Sequence, residues 1–491
     1  MRFLKNNFGL ILVLILSFWA IKPLFVQGFF PMHDDTQVAR VFEMGKALKL
    51  GMFPVRWVPD LGYGYGYPIF NFYAPLAYYV GGTFILLGFD ALLATKAMMI
   101  LGVLLSGVFM YLLAKEFWGE IGGAVSALFY MYAPYHAVDI YVRGDVAEFW
   151  AYAFIPLSFY GLIKIYKNPK WGYVAVGALG FAGVILSHNL TAMMVTPFLL
   201  IVVLLNCYIS FKKNKLFIIH NSLFIILLGL ALSAFYWIPA IVEFGYTNVM
   251  SQVGGGADFR DHFVCFSQLW NSPWGFGGSV PGCIDGLSFK IGKLHIISVF
   301  LPIIIFIYLK LKHKYFNDIY YLSIFGIVGL LFSVFLTLDV SRFVWQAIPA
   351  MAFIQYPWRF LLLISFFTSF LAGAVVSLSS QFKIKPYLTA FLLVFFLLFF
   401  NIKLFNPQTI FSIRAAEYTN DFAIKWTASK ISDEYLPANF KKPKSEKEIA
   451  KNPIPFKETT LEKLSNIGSL IGILALFIGI ISFTHRRLRY D

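Results

Sequence analysis

Apolar runs of about 20 residues recur along this chain from one end to the other, and that repetition narrows it to one architecture. Inside a bilayer, an unpaired backbone N–H or C=O costs several kcal/mol, so each run must close its hydrogen bonds within itself, as a helix does. The runs lie near 8–27, 68–88, 93–113, 120–137, 147–166, 171–187, 190–209, 216–238, 292–309, 318–337, 360–378, 386–404 and 465–484. Charged residues make up 13% of the chain, against about 25% in a soluble domain, too few to cover a soluble globule. The expected fold class is an all-α polytopic membrane protein.

The net charge of +15 is a topology signal, not a nucleic-acid one. Basic residues cluster at Arg2/Lys5, Lys115, Lys164/Lys167/Lys170, Lys212/Lys213/Lys215, Lys310/Lys312/Lys314, Lys383/Lys385 and Arg486/Arg487/Arg489. From Lys115 onward they occupy every second connection. The positive-inside rule places all of them in the cytoplasm, so the crossings between Lys5 and Lys115 must be even in number. One apolar run there fails to cross. The run 68–88 is the natural choice, with Pro68, Asn71, Pro75 and the Gly81-Gly82 pair. The first run is too long for a signal peptide and lacks a small-x-small cleavage site, so it is expected to stay as a span.

About twelve spans follow, with both ends inside and interfacial helices in the first external loop. The external segments are 28–92, 138–146, 188–189, 239–291, 338–359 and 405–464. The chain divides into a membrane domain (1–405), an external tail and linker (406–464), and a last span with a basic end (465–491). Cys265 and Cys283 share an external loop, where oxidation is open to them, and a disulfide is expected. Cys207, at an inner helix end, should stay reduced.

The polar residues that ask for a reason fall on that external face. His33-Asp34-Asp35 follows the first span, and Asp34 with Gln37 makes a capping box for an amphipathic surface helix, Thr36–Leu50, with Arg40, Glu43 and Lys46 on its polar side. Two carboxylates exceed what a cap needs, so one of Asp34 and Asp35 is expected to be chemical, Asp34 by preference. Tyr65 and Tyr67, in a run where glycine alternates with tyrosine, offer flat faces to a sugar or an isoprenoid chain, or form an aromatic belt. Asp145 and Glu148 suit a second capping box, and Arg143 beside them suits a phosphate fork. His188, Arg342 and Arg359 add further positive or titratable groups, and Glu434 marks the tail.

In these residues and their order, the chain resembles the GT-C superfamily of membrane glycosyltransferases. More closely it is similar to prokaryotic membrane proteins labelled 6-pyruvoyl-tetrahydropterin synthase-related. The likeness rests on His33-Asp34-Asp35, the Tyr63–Pro68 run, Arg143-Gly144-Asp145 with Glu148, Ser187-His188-Asn189, Gln355-Tyr356-Pro357-Trp358-Arg359 and Glu434-Tyr435-Leu436-Pro437. No histidine triad for zinc accompanies the synthase label. The resemblance implies sugar transfer from a polyprenyl-phosphate-linked donor to a glycan, lipid or protein acceptor, on the external face of a prokaryotic plasma membrane. Asp34 or Asp35 then serves as base, and Arg143, Arg342, Arg359 and His188 meet the lipid phosphate. A divalent cation such as Mg or Mn, on Asp34 and Asp145, is compatible but not required. The competing readings are a transporter or flippase of lipid-linked saccharide, which needs ionisable residues at mid-span depth, and a non-catalytic lipid-sugar-binding protein.

Overall fold

The computed structural model describes residues 7–212, 214–311 and 318–487. Arg2, Lys5, Lys213, Lys312, Lys314 and Arg489, used above for topology, lie outside them. The described residues form helices joined by turns and isolated β-bridges. Seven helices are long and apolar enough to cross a membrane, eight if the bent pair Leu216–Leu232 and Ala234–Tyr246 counts as one span. The expectation of about twelve also counts shorter apolar helices at Trp171–Ser187, Lys293–Ile304 and Ile324–Thr337, and both arms of one folded helix.

That folded helix is Ala91–Met131. It reverses at Gly119, whose φ of 71° belongs to the left-handed region. A Cβ at Gly107 would lie 2.2 Å from the Met131 side chain, although a straight helix would hold these residues about 36 Å apart. The two expected runs 93–113 and 120–137 are thus antiparallel arms of one hairpin. Around it pack Val146–Lys167 and Leu361–Ser379, apolar on nearly every side and buried almost throughout. Pro386–Leu404 and Thr460–Ile481 stand at the periphery and expose most of their apolar surface. Leu76–Leu86 has 11 residues, about 17 Å, too short to cross alone.

The helix Gln37–Lys49 departs from the expectation of a surface helix with an outward charged side. Arg40 and Glu43 are 3% and 0% exposed. Arg40 turns to Asp34, Glu43 accepts the Asp60 backbone N–H at 3.0 Å, and Lys46 pairs with Asp60. Burial and Asp60 push the Glu43 carboxyl up to about 8. Its other side packs Val41 and Met44 onto Gly81 and Gly82. Helical spacing identified two faces; neighbouring segments bury both.

The tail also differs from the expected linker. Ala450 and Ile454 donate backbone hydrogen bonds to Tyr63 and Tyr65, and Ala438 donates to Tyr246. Cys265 and Cys283 form the expected disulfide, and Cys207 is free. Arg56, which no sequence motif marks, is 1% exposed and bonds Asn71, the Phe235 carbonyl, Ser465 and Asn466. It ties the first loop to the last helix. Arg56→Leu leaves these buried acceptors without their donor, at a cost of about 1–3 kcal/mol for each one left unsatisfied. The expected outcome is a lower thermal midpoint and faster tryptic cleavage among the lysines of 441–457, read by gel against wild type.

Candidate active site

The six segments expected outside the membrane meet around one cavity of about 630 Å³. His33, Asp34 and Tyr73 come from the first and Arg143 and Asp145 from the second. His188 represents the third, Val249 and Ser279 the fourth, Tyr356 and Arg359 the fifth, and Glu434 and Tyr435 the tail. Segments about 400 residues apart in sequence, from His33 to Tyr435, therefore share one chemical space.

Backbone pairing sets the first loop in place. His33 and Asp34 donate their N–H groups to the carbonyls of Val142 and Arg143, at 3.1 and 2.9 Å. Gly144 is left-handed, with φ 62°, and a Cβ there would strike Met32 at 2.0 Å, so this junction requires glycine. The Asp34 carboxylate accepts from Thr36 Oγ1 (2.8 Å), Gln37 Nε2 (2.8 Å) and Arg40 Nη1 (2.9 Å). It does not cap the helix: the N-cap is Thr36, and no side chain caps it. Arg40 also donates to Ser432 Oγ at 3.1 Å and lies 4.4 Å from the centre of the Tyr73 ring. One guanidinium thus holds the first-loop carboxylate and the tail together. His33 donates from Nε2 to the Phe276 carbonyl, pinning the disulfide-bridged loop over the cavity.

Beneath lies a buried ion cluster. Arg143 bonds Asp139, Asp145 (2.7 Å), Glu148 (3.0 Å) and the Tyr135 hydroxyl (3.1 Å), with Trp358 against its face. With three carboxyl groups on it, Arg143 is not the open phosphate fork expected from sequence. Burial and Glu148 raise Asp139, so it keeps its proton. Burial alone would also raise Asp145, but the Arg143 and Arg359 guanidinium groups hold it well below the usual carboxylate range. Asp145 caps the helix Val146–Lys167 through the Glu148 N–H. Arg359 is held more loosely: Nε is 3.4 Å from Glu148, Nη2 is 3.9 Å from Asp145, and Nη1 reaches the Ile354 carbonyl at 3.2 Å. Burial lowers His188, against the pull of Asp145 and Glu148, so its imidazole is neutral.

Asp145, Glu148 and His188 bring one ligand atom each within 4.8 Å of one another, a donor set a divalent cation would accept. The charge does not fit one. Asp145 and Glu148 already face Arg143 and Arg359, two charges against two, leaving nothing over for a cation. Asp34 stands outside this group.

Other expected site residues lie elsewhere. Tyr67 is fully buried, and its hydroxyl oxygen accepts the Tyr435 N–H at 3.1 Å. Tyr65 packs edge-on against Phe440. The glycine–tyrosine run is a cradle for the tail, and neither ring lines the cavity. Arg342 pairs with Asp339 and donates to the Arg260 carbonyl, away from the cavity. Asp35 is half-buried beside Asp34 but does not line the cavity. Arg40, Tyr73 and Ser432 do line it; the sequence placed Arg40 on an outward face and carried no signal for the other two.

Residues 70–406 match the family described as 6-pyruvoyl-tetrahydropterin synthase related domain, a membrane protein family. An uncharacterized protein of Lactococcus lactis subsp. cremoris (strain MG1363) is 26% identical over 347 residues, covering 67% of this chain and 54% of that protein. The structure is similar to that of the Archaeoglobus fulgidus oligosaccharyltransferase in its apo form, with a TM-score of 0.50, 11% identity, and coverage of 96% of this chain and 65% of that one. The archaeal oligosaccharyltransferase AglB from the same organism, in complex with an inhibitory peptide and a dolichol-phosphate, gives 0.50, 12%, 96% and 64%. At these identities the likeness is one of fold, and the fold is GT-C-like. The chain spans about half the length of the bacterial relative and just under two thirds of the archaeal enzyme.

Two outcomes test this geometry. Burial and then Asp34 push the Asp35 carboxyl up to about 6, from 3.8 in an unfolded chain. The folded state then binds the extra proton, so stability falls as pH rises from 3.8 through about 6. Asp35→Asn removes that loss: the thermal midpoint should rise at about pH 8 and stay unchanged at about pH 4. Arg143→Ala leaves the Asp145 and Glu148 carboxylates facing Arg359 alone, at a cost of about 3–5 kcal/mol. Fluorescence-detected size exclusion should show loss of folded protein, where a simple ligand contact would leave the peak intact.

Proposed function

The chain belongs to the membrane-protein family of the 6-pyruvoyl-tetrahydropterin synthase related domain, and from that premise we propose that it is a glycosyltransferase moving a sugar from a polyprenyl-phosphate-linked donor to an acceptor hydroxyl. The observation that carries the reading is that Asp34 and Arg359, a carboxylate and a loosely held guanidinium, line the same cavity. Sugar transfer from a lipid phosphate needs those two groups. The acceptor oxygen forms a bond to the anomeric carbon while its proton passes to Asp34. The bond from that carbon to the phosphate oxygen breaks, and the polyprenyl phosphate leaves with the electron pair. Arg359 meets the charge that develops on the leaving oxygen, while Arg40 stays paired with Asp34. One displacement inverts the anomeric carbon.

The surroundings support this. Tyr73, Tyr356 and Tyr435 line the cavity and add aromatic surface of the kind a sugar ring packs on. The neighbouring archaeal enzyme was solved with a dolichol-phosphate, a lipid phosphate of the class proposed as donor carrier. Among the described residues, the buried charged and histidine side chains, from Arg40 to Glu462, sit in the connections or the first two turns of a helix. They gather at the cavity end, which a carrier with a path through the bilayer would not do. We place this end on the external face of a prokaryotic plasma membrane, in accord with the basic connections at the other end. The charge balance of the Asp145–Glu148–His188 group favours transfer without a divalent cation.

Asp34→Asn keeps size and most hydrogen bonds and removes the base, so turnover should fall by a factor on the order of 100 or more with folding intact. The measurement is mass spectrometry of lipid extracts from cells carrying wild type, Asp34→Asn or no protein. A polyprenyl-phosphate sugar should accumulate in the last two and not in the first. Equal donor levels in all three would overturn the reading.

A further inference from the structure

Away from the cavity wall, three lysines converge without an acidic partner. Lys290 Nζ lies 5.7 Å from the centre of the Trp274 ring, and Lys293 Nζ lies 5.5 Å from that of Trp270. Lys403 is exposed on the turn Ile402–Leu404 that ends the helix Pro386–Asn401. Both segments flank residues 132–134: Asn401 donates to the Tyr132 carbonyl at 2.9 Å, and a Cβ on Gly292 would touch Pro134 at 3.1 Å. Among the described residues, no carboxylate lies within ion-pair distance of any of the three. Burial and the charges of Lys403 and Lys293 lower the pKa of Lys290, so the ammonium groups act on one another.

Three like charges held together repel, and a bound anion would relieve them. Their surroundings name the anion's source. The lysines stand at the cavity end of two membrane helices, beside tryptophans of the kind that mark a bilayer interface. Those helices expose Ile297, Phe300 and Ile304, and Phe391, Phe395 and Phe399, to where acyl chains lie. This is also the end from which the positive-inside rule removes lysines, so a cluster here is not explained by topology.

We propose that Lys290, Lys293 and Lys403, with Trp270 and Trp274, form a site for the phosphate headgroup of an anionic membrane lipid. Phosphate oxygens bridge the three ammonium groups, and the acyl chains lie along the two exposed helices. The site is one aromatic layer from the cavity: Trp274 packs on Phe276, whose carbonyl accepts from His33. It does not rest on sugar transfer, since binding is read with no donor or acceptor present.

The test is native mass spectrometry of the purified full chain, titrated with phosphatidylglycerol or phosphatidylcholine. Wild type should prefer phosphatidylglycerol. Each of Lys290→Gln, Lys293→Gln and Lys403→Gln should weaken it about fivefold and the triple variant on the order of 100-fold, at about 1 kcal/mol per lysine. Phosphatidylcholine binding should not change. The tail variant Lys447→Gln/Lys451→Gln/Lys457→Gln removes the same charge elsewhere and should bind as wild type. Single variants keep the test open should the triple one fail to fold. Equal affinity for the two lipids, an equal loss in the tail variant, or displacement of phosphatidylglycerol by equimolar inorganic phosphate would each overturn the proposal.

Discussion

Arg143 is buried at the end of the helix bundle where the connections meet, and it neutralises carboxylates that a low-dielectric interior would otherwise reject. A buried ion is tolerated when its charge and its hydrogen bonds are both answered, and here the answers come from different segments. Asp139 and Asp145 flank it in sequence, Glu148 belongs to the helix that follows, and Trp358 reaches it from beyond residue 350. Its own carbonyl receives the N–H of Asp34. The same residue thus balances the cluster and sets the first loop above it. Because its donors are committed to carboxylates, the cluster is a floor for the cavity and not a receptor for phosphate.

A second layer rests on that floor. Asp34 is held by three donors, so it presents its carboxylate to the cavity in one orientation, which the proposed base chemistry requires. Arg40 contributes one of those donors and spends another on Ser432. The tail therefore forms part of the wall. Its own position depends on the glycine–tyrosine run and on Arg56, which anchors the start of the last helix. On the proposed reading, a substrate enters a cavity whose catalytic wall and tail wall share one side chain, so disturbance of the tail reaches Asp34 without touching it.

The arrangement also accounts for where charge is absent. The central helices Val146–Lys167 and Leu361–Ser379 are almost fully buried, yet apart from Glu148, in the first turn of one, their buried side chains carry no charge. Ions at mid-depth would need partners of their own at a cost apolar packing avoids. Concentrating them at one end lets each guanidinium serve several carboxylates, while His188 stays neutral by burial.

The membrane class, the helices and the set of segments that meet at the cavity were legible in the sequence, because they depend on hydropathy and on basic clusters, which are local sums. The pairing of Cys265 with Cys283 follows from the same topology. Local spacing misjudged residues whose surroundings are distant in sequence. Arg40 sits on the polar side of a helix, and spacing alone sends such a side outward; Asp34 and Ser432, from two ends of the chain, bring it inside. Tyr65 and Tyr67 read as display surfaces until the tail lies on them. Arg143 read as an open fork because nothing local says that Asp139, Asp145 and Glu148 all turn toward it. Arg56 and Arg342 carry the same side chain in unremarkable contexts, and one is a buried tie while the other is a surface pair. Sequence determines which groups are charged and which helix ends they lie near. Tertiary structure decides which charges cancel, because a Coulomb partner is chosen by distance in space.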